Sequence, residues 1–219
     1  MDAIVFDWDG TLADTLGGLY GANVAVMAAF GLPFDRDLYR RHYAPDWRVM
    51  YDRLGIPADR LDEANAIWHA AVDTDTGAAP PAFDGVRDAL ARLTDAGYAL
   101  GLVTAGVRAV VAPQLGRLDL QALLPVTVFG DDLPVHKPDP APLRRALEAL
   151  GVADRPAHAA YVGDVPDDMR MAVAVGARAV GIVSILGDPA ELVAAGADEV
   201  AGSVPEWVDR LLARETGAP

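Results

Sequence analysis

The sequence predicts an α/β fold, a doubly wound parallel sheet with a helical insert after its first strand. From residue 81 onward, short apolar runs alternate with segments of helical periodicity, as expected for a parallel sheet with helices on both faces. Gly97, Gly151 and Gly176 each follow a predicted helix, a position where glycine commonly ends a helix. Residues 14–80 show helical faces and no good strand candidate.

The sheet is predicted from short runs rich in Val, Ile and Leu, which are typical of buried strands. These runs lie at residues 3–6, 99–103, 126–129, 159–162, 179–183 and 198–200. Helices are predicted between them, where apolar residues recur on one face. They lie at residues 81–97, 138–150, 167–175 and 205–212.

The helical insert, which we define as residues 14–80, contains three predicted helices. Their apolar faces are marked by Leu19, Val26 and Phe30, by Trp47, Met50, Tyr51 and Leu54, and by Leu61, Ala64, Ile67, Trp68 and Ala71. The segment Thr-Gly-Ala-Ala-Pro-Pro at residues 76–81 has the composition of a linker. We therefore predict a core domain of residues 1–13 and 81–219 and a second domain formed by the helical insert.

The composition excludes several classes of function. A net charge of −14 opposes binding to nucleic acids and to anionic membranes, so we predict neither as a partner. The chain has no cysteine, which excludes disulfides, thiolate catalysis and sulfur-ligated metals. The first residues lack the basic segment of a signal peptide, and no apolar run approaches the roughly 20 residues that span a bilayer. We therefore expect a cytoplasmic protein.

Acidic and hydroxyl residues follow three of the predicted strands. Asp7 and Asp9 come after the first strand, Thr104 after residues 99–103, and Asp164 and Asp168 after residues 159–162. Taken singly, each is also typical of a turn or a helix cap. Parallel strands, however, bring their carboxyl ends to one edge of the sheet.

The charge at that edge requires a cation. Lys137, the only lysine of the chain, would by itself be interpreted as a solvated surface residue. It cannot balance four aspartates, whereas Mg²⁺ prefers carboxylate oxygens and also bridges to phosphate. The set of residues therefore predicts a magnesium site that carries out phosphoryl transfer.

As an ordered set, the motifs resemble those of the haloacid dehalogenase superfamily of phosphohydrolases, in particular the phosphoglycolate-phosphatase-like branch with a helical cap. Its four motifs match, in order, Asp7-Trp8-Asp9-Gly10-Thr11, Thr104, Lys137-Pro138 and Gly163-Asp164 to Asp168. The helical insert stands where that branch carries its cap. The resemblance covers nearly the whole chain.

The resemblance implies magnesium-dependent hydrolysis of small phosphate monoesters, so that the partner would be a small phosphorylated metabolite. Asp7 would attack phosphorus to form an aspartyl-phosphate. Asp9 would protonate the leaving oxygen and then deprotonate water. For this role the pKa of Asp9 must be raised, and we expect neighbouring carboxylates and bound phosphate to raise it. Lys137 would offset the charge of Asp7 and of the phosphoryl group.

The resemblance also implies a ligand set. Mg²⁺ would be held by a carboxylate oxygen of Asp7, the backbone carbonyl of Asp9 and the carboxylate of Asp164, while Thr104 and the N–H of Ala105 would bind phosphate. Asp168 would steer Lys137 or a metal-bound water.

The sequence departs from the family pattern at two positions. Ala105 stands where Asn is common, and Val165 where Ser or Thr is common. Neither change touches the nucleophile, the acid/base residue, the lysine or the metal-binding aspartates, so we expect activity to survive.

The helical insert would select the leaving group. Arg48 is the best candidate if the substrate carries a carboxylate or a second phosphate, because its planar guanidinium binds oxyanions. For each candidate, ordinary packing or solvation is the commoner role. The candidates are Tyr20, His42, Tyr43, Arg48 and His69.

Two other functions stay open at this point. A phosphomutase of the beta-phosphoglucomutase type would share Asp7 and Asp9 but exclude water, and a non-catalytic regulatory protein would use the fold without chemistry. The intact acid/base pair argues against the second. The physiological substrate stays open, as does the choice between monomer and homodimer.

Overall fold

In a computed structural model, which describes residues 1–75 and 80–216, parallel strands form one six-stranded sheet in the order β3-β2-β1-β4-β5-β6. This arrangement confirms the predicted doubly wound α/β fold. The strands are β1 (Ala3–Phe6), β2 (Ala99–Val103), β3 (Val126–Val128), β4 (Ala159–Gly163), β5 (Arg178–Ile182) and β6 (Glu199–Ala201).

The helices flank the sheet and fill the insert. Those of the helical insert are α1 (Leu16–Ala29), α2 (Arg36–His42), α3 (Trp47–Arg53) and α4 (Leu61–Asp75). The helices after it are α5 (Val86–Asp95), α6 (Arg108–Arg117), α7 (Ala141–Ala149), α8 (Pro166–Val175), α9 (Pro189–Ala194) and α10 (Val204–Thr216). In the described part of the chain, none of them has the length and apolar character needed to cross a membrane.

The central strand β1 is buried on both sides because successive side chains of a strand point to opposite faces. Ile4 and Phe6 belong to one core cluster, which includes residues of α5, α6 and α10. Ala3 and Val5 belong to a second cluster with residues of α7, α8 and α9. All four side chains are fully buried, which explains why the strand is an unbroken apolar run.

Three helices were not predicted, namely α2, α6 and α9. The sequence of α2, Arg-Asp-Leu-Tyr-Arg-Arg-His, has little apolar periodicity. Helix α6 contains Pro113, which is a strong signal against a helix interior, and α9 has only six residues. These helices form because tertiary packing buries a few apolar side chains, such as Leu115 and Leu192.

The bounds of other elements differ by a few residues. Helix α5 begins at Val86 rather than residue 81, because Gly85 has a φ of 78° and lies in the left-handed region. Helix α7 begins at Ala141, where the side chain of Asp139 accepts a hydrogen bond from the Ala141 N–H. Most of the predicted linker at residues 76–81 lies outside the described residues.

The helical insert has a hydrophobic cluster of its own. Its buried members come from all four insert helices and include Met27, Tyr39, Met50 and Ala64. Val165 and Leu186, which lie outside the insert, also belong to this cluster and close it on the side of the sheet. The insert therefore packs directly over the carboxyl ends of the central strands.

Candidate active site

The strand register brings the predicted motifs to one edge of the sheet. Phe6, the last residue of β1, is level with Leu102 in β2 and with Val162 in β4. The residues that follow these strands, Asp7, Thr104 and Asp164, therefore lie side by side. The Asp7 N–H donates to the carbonyl of Val162 at 2.8 Å, so the backbone ladder continues into the site.

Lys137 lies between two of the aspartates. Its Nζ is 2.6 Å from Oδ1 of Asp7 and 2.9 Å from Oδ1 of Asp168. All three side chains are nearly inaccessible to solvent. Burial alone would lower the pKa of Lys137, but the charges of Asp168 and Asp7 outweigh burial and raise it. Lys137 therefore stays protonated and compensates buried negative charge.

Asp168 is held by the start of α8. Its Oδ2 accepts hydrogen bonds from the backbone N–H groups of Asp164 at 3.0 Å and of Val165 at 3.1 Å. Gly163 makes this approach feasible, because a Cβ atom there would overlap the Asp168 carboxylate. Since both oxygens of Asp168 have partners, the residue positions Lys137 and the Asp164 backbone.

Asp164 differs from Asp168 in having an unused oxygen. Its Oδ2 is buried and, among the described residues, has no hydrogen-bond partner. Gly10 packs against this oxygen so closely that a Cβ atom at residue 10 would overlap it. An orphaned buried carboxylate oxygen is costly unless a cation or a donor binds it.

The donor set fits a hard divalent cation. Ligand oxygens of Asp7, Asp164 and Asp168 all lie within 4.8 Å of one another and all three residues are buried. One lysine does not neutralise three carboxylates, and oxygen-only donors are those that Mg²⁺ prefers. Because Asp168 is already saturated, Asp7 and Asp164 are the side chains best suited to hold the cation.

The pKa values reflect the same excess of negative charge. Burial is the largest cause that raises the pKa of Asp7 to about 7; Lys137 opposes this shift and Asp168 adds to it. Burial and the charges of Asp7 and Asp168 raise the pKa of Asp164. A cation bound between them would reverse both shifts.

Asp9 follows Asp7 by two residues, in the loop after β1. It is half-buried and lines the large cavity described below. Burial raises its pKa, while Thr15 and Lys137 act in the opposite direction. The direction matches the sequence-based expectation, but the main cause is burial rather than neighbouring carboxylates.

Thr104 and Ala105 form the loop after β2. Oγ1 of Thr104 accepts a hydrogen bond from the Gly106 N–H at 2.9 Å, and the side chain is buried. This bond leaves the hydroxyl hydrogen of Thr104 available to a ligand. Together with Lys137, Thr104 and Ala105 line a small second cavity of about 10 Å³.

A cavity of about 460 Å³ lies between the helical insert and the sheet edge. Asp9, Ala105 and Gly106 contribute to its wall from the core side. Of the predicted selector residues, Tyr43 and His69 line it. Burial and the nearby charges of Tyr39, Asp7, Asp164 and Asp9 raise the pKa of Tyr43, so its phenol stays protonated.

The structure does not place the other predicted selectors in the cavity wall. Arg48 is exposed, and its guanidinium carbon lies 4.5 Å from the ring centre of Trp47. Trp47 does line the cavity, but one residue further along α3 the side chain points away from it. Tyr20 stacks on Phe34, with ring centres 5.5 Å apart, and His42 lies outside the wall. A substrate-binding role for Arg48 thus has no support from its position.

Sequence reasoning missed Tyr39 and Gln114. Tyr39 is buried, and its pKa is raised by burial and by the charges of Asp9 and Asp164. Gln114 accepts a hydrogen bond from the Trp8 indole and lines the cavity. Both residues lie on helices that the sequence pattern did not predict. A polar residue between apolar Val111 and Leu115 was the available signal for Gln114.

The chain is similar in sequence to known proteins over most of its length. Residues 4–182 match the model of the family described as haloacid dehalogenase-like hydrolase. The chain is 32% identical to phosphoglycolate phosphatase 1 of Pseudomonas aeruginosa over 184 residues, which span 80% of this chain and 66% of that protein. It is 31% identical to the phosphorylated carbohydrates phosphatase of Thermotoga maritima, over 97% of this chain and 98% of that protein.

A solved structure shows the same fold. It is the haloacid dehalogenase-like hydrolase SP0104 of Streptococcus pneumoniae, which superimposes with a TM-score of 0.82 at 23% identity, over 96% of this chain and 98% of that one. The match to the family model, over residues 4–182, extends from within β1 to the end of β5 and includes all the motifs at the sheet edge. The chain therefore belongs to the haloacid dehalogenase-like hydrolase family.

Proposed function

We propose that this protein is a phosphatase that hydrolyses small phosphate monoesters with Mg²⁺ through an aspartyl-phosphate on Asp7. The observation that carries the proposal is the buried pair of Lys137 and Asp7, at 2.6 Å, beside the unpartnered Oδ2 of Asp164. This arrangement holds the proposed nucleophile next to a permanent positive charge, and it leaves a carboxylate oxygen, without a partner among the described residues, available to a cation. Each of these features favours the binding of a phosphoryl group.

In the first half of the reaction, a carboxylate oxygen of Asp7 forms a bond to phosphorus while the bond from phosphorus to the leaving oxygen breaks. Asp9 donates its proton to that leaving oxygen. In the second half, Asp9 accepts a proton from water, whose oxygen attacks phosphorus and releases phosphate and the Asp7 carboxylate. The raised pKa of Asp9 suits both transfers.

The remaining residues bind and orient the phosphoryl group. Asp7, Asp164 and the backbone carbonyl of Asp9 would hold Mg²⁺, which when bound supplies positive charge to the phosphoryl oxygens. The hydroxyl of Thr104 and the backbone N–H of Ala105 would donate to these oxygens. Lys137 would balance the charge of Asp7, and Asp168 would keep Lys137 in place.

The relatives support a phosphatase, since they include a phosphoglycolate phosphatase and a phosphorylated carbohydrates phosphatase. We propose that the helical insert acts as a cap, because it covers the cavity next to Asp9. We also keep as predictions a small phosphorylated metabolite as partner, a cytoplasmic location and a monomer or homodimer.

The test compares Asp7→Asn and Asp9→Asn with a control variant, Asp95→Asn, whose side chain is exposed on α5. With p-nitrophenyl phosphate and Mg²⁺, we expect Asp7→Asn to abolish turnover. The same change should abolish acid-stable labelling of the protein by a radioactive phosphoryl group. Asp9→Asn should lower kcat by about 10²–10⁴ while Mg²⁺ still binds. Asp95→Asn should behave as the wild type.

Full turnover by Asp7→Asn, or by the wild type in excess chelator, would contradict the proposal. A parallel assay with glucose 1-phosphate covers the phosphomutase alternative. Isomerisation faster than phosphate release would establish a mutase instead of a phosphatase.

A further inference from the structure

The wall of the large cavity, where the leaving group of a substrate would lie, is mainly aromatic and aliphatic. Its aromatic side chains include those of Trp47 and Tyr51 on α3, Trp68 on α4, and Tyr43, the residue that follows α2. Val107, Val110 and Val111 face them from the start of α6. Surfaces of this kind bind flat apolar groups through contact area and ring stacking.

In the part of the chain that the structure describes, the cavity wall also lacks permanently cationic side chains. Among the described residues that line it there is neither lysine nor arginine, and the sequence of residues 73–79 contains neither as well. Its acidic members are Asp9 and Asp14. A carboxylate or a second phosphate on the leaving group would lose its hydration here without gaining a lysine or arginine as partner.

Three cationic side chains outside the cavity wall, those of Lys137, Arg48 and Arg40, have other partners. Lys137 is held between Asp7 and Asp168, and Arg48 lies over Trp47 outside the cavity. Nη1 of Arg40 pairs with Oδ2 of Asp188 at 3.3 Å. Uncharged hydrogen-bonding groups are present instead, in the amides of Asn65 and Gln114.

The size of the cavity points in the same direction. Its volume of about 460 Å³ falls in the range of roughly 300–1,000 Å³ that is typical of pockets for drug-sized small molecules. A small acid such as glycolate would leave most of it empty, and empty apolar space contributes no binding free energy.

We infer, on the basis of the proposed function, that the substrate is a phosphate monoester of an uncharged alcohol that carries an aromatic or heteroaromatic ring. The phosphoryl group lies at Asp7, and the ring lies among Trp47, Trp68 and Tyr43. The site discriminates against phosphoglycolate, pyrophosphate and sugar bisphosphates, whose leaving groups carry negative charge.

The experiment uses two benzyl phosphates that differ in the para substituent, which is an uncharged methyl group in para-methylbenzyl phosphate and a carboxylate in para-carboxybenzyl phosphate. The methylene group insulates the leaving oxygen from the substituent, so both esters have similar intrinsic reactivity. We expect kcat/KM to be at least about tenfold higher for the methyl compound, and higher also than for phosphoglycolate. Equal values, or a preference for either carboxylated ester, would overturn the inference.

Variants of α4 supply a second, independent readout. Both His69 and Ala66 are exposed residues of α4, but His69 contributes to the cavity wall and Ala66 does not. His69→Arg should raise kcat/KM for para-carboxybenzyl phosphate relative to the methyl compound by about tenfold. Ala66→Arg should leave that ratio unchanged. An equal shift of this ratio in both variants would show that the cavity does not discriminate between charged and uncharged leaving groups.

The two proposals fail in different ways. If the wild type releases phosphate from no ester, including p-nitrophenyl phosphate, the proposed phosphatase function fails. If it releases phosphate but prefers the carboxylated esters, the phosphatase function stands and the assignment of an uncharged aromatic leaving group is wrong.

Discussion

The indole N–H of Trp8 donates a hydrogen bond of 2.9 Å to Oε1 of Gln114, and both side chains are buried. Trp8 stands between the proposed nucleophile Asp7 and the proposed acid Asp9. Gln114 belongs to α6, which also lines the large cavity. The bond therefore links the loop that carries both reacting carboxylates to a helix that shapes the substrate site.

Removal of this acceptor should destabilise the protein. Gln114→Leu leaves the indole N–H buried without a partner, which should lower the free energy of unfolding by about 1–3 kcal/mol. In a Trp8→Phe background the same change should cost less than about 1 kcal/mol, because no donor remains. Urea unfolding of the four proteins in this double-mutant cycle measures the difference. Equal costs in both backgrounds would show that the bond contributes nothing.

Loss of Lys137 should leave the buried negative charges of Asp7 and Asp168 without a counter-ion. In chelator at pH 8, we expect Lys137→Met to lower the free energy of unfolding by about 3–5 kcal/mol. The loss should shrink as the pH falls, because Asp7, whose pKa is raised to about 7 by burial, takes up a proton. Arg117→Met, at an exposed position, should change stability by no more than about 0.5 kcal/mol. Indistinguishable urea midpoints of these two variants would exclude charge compensation by Lys137.

In the absence of metal, the change of Asp to Asn should affect the free energy of unfolding differently at residues 164 and 168. Asp164→Asn removes a buried carboxylate that lacks a partner on Oδ2, so stability in chelator should stay equal or rise. Asp168→Asn weakens the ion pair with Lys137 and the bonds to two backbone N–H groups. It should therefore cost about 3 kcal/mol or more.

Bound Mg²⁺ should stabilise the wild type but not Asp164→Asn. A cation at 100 times its Kd stabilises a folded protein by about 2.7 kcal/mol, and this increment should appear in the wild type and largely disappear in Asp164→Asn. Thermal unfolding with and without Mg²⁺ provides the measurement. A full increment in Asp164→Asn would place the cation elsewhere.

Glu199 should make stability depend on acid pH. Burial alone would raise its pKa, but the bond from the Trp207 indole at 2.9 Å and the charges of Arg178 and Arg214 outweigh burial and lower it. The unfolded chain then binds the proton more readily than the folded one. The contribution is therefore fully present above the unfolded pKa of about 4.3 and is lost as the pH falls through the lower folded pKa.

Glu199→Gln isolates this contribution. At pH 7 the variant should be less stable than the wild type by about 1 kcal/mol, and the gap should narrow below about pH 4. Glu148→Gln, at an exposed position on α7, should remain within about 0.5 kcal/mol at every pH. A constant gap for Glu199→Gln across this range would mean that its ionisation does not stabilise the fold.

Much of the fold followed from local patterns. Each central strand is a short apolar run, and each is followed within one residue by a motif side chain such as Asp7, Thr104 or Asp164. Because a parallel sheet aligns the ends of its strands, the pattern alone predicted that these side chains meet. The helices α2 and α6 could not be predicted in this way, since polar α2 and proline-containing α6 owe their stability to tertiary contacts.

The amino-acid sequence by itself determined the sheet and which motif residues meet at its edge, and it predicted the need for a cation, because these depend on residue types and on strand order. The tertiary structure decided which side chains line the cavity and which carboxylate oxygens have partners. It placed Trp47 in the cavity and Arg48 outside, since neighbouring helical residues point in directions about 100° apart. It also saturated Asp168 while leaving an oxygen of Asp164 free, because that difference arises from backbone N–H groups and a lysine brought together only by folding.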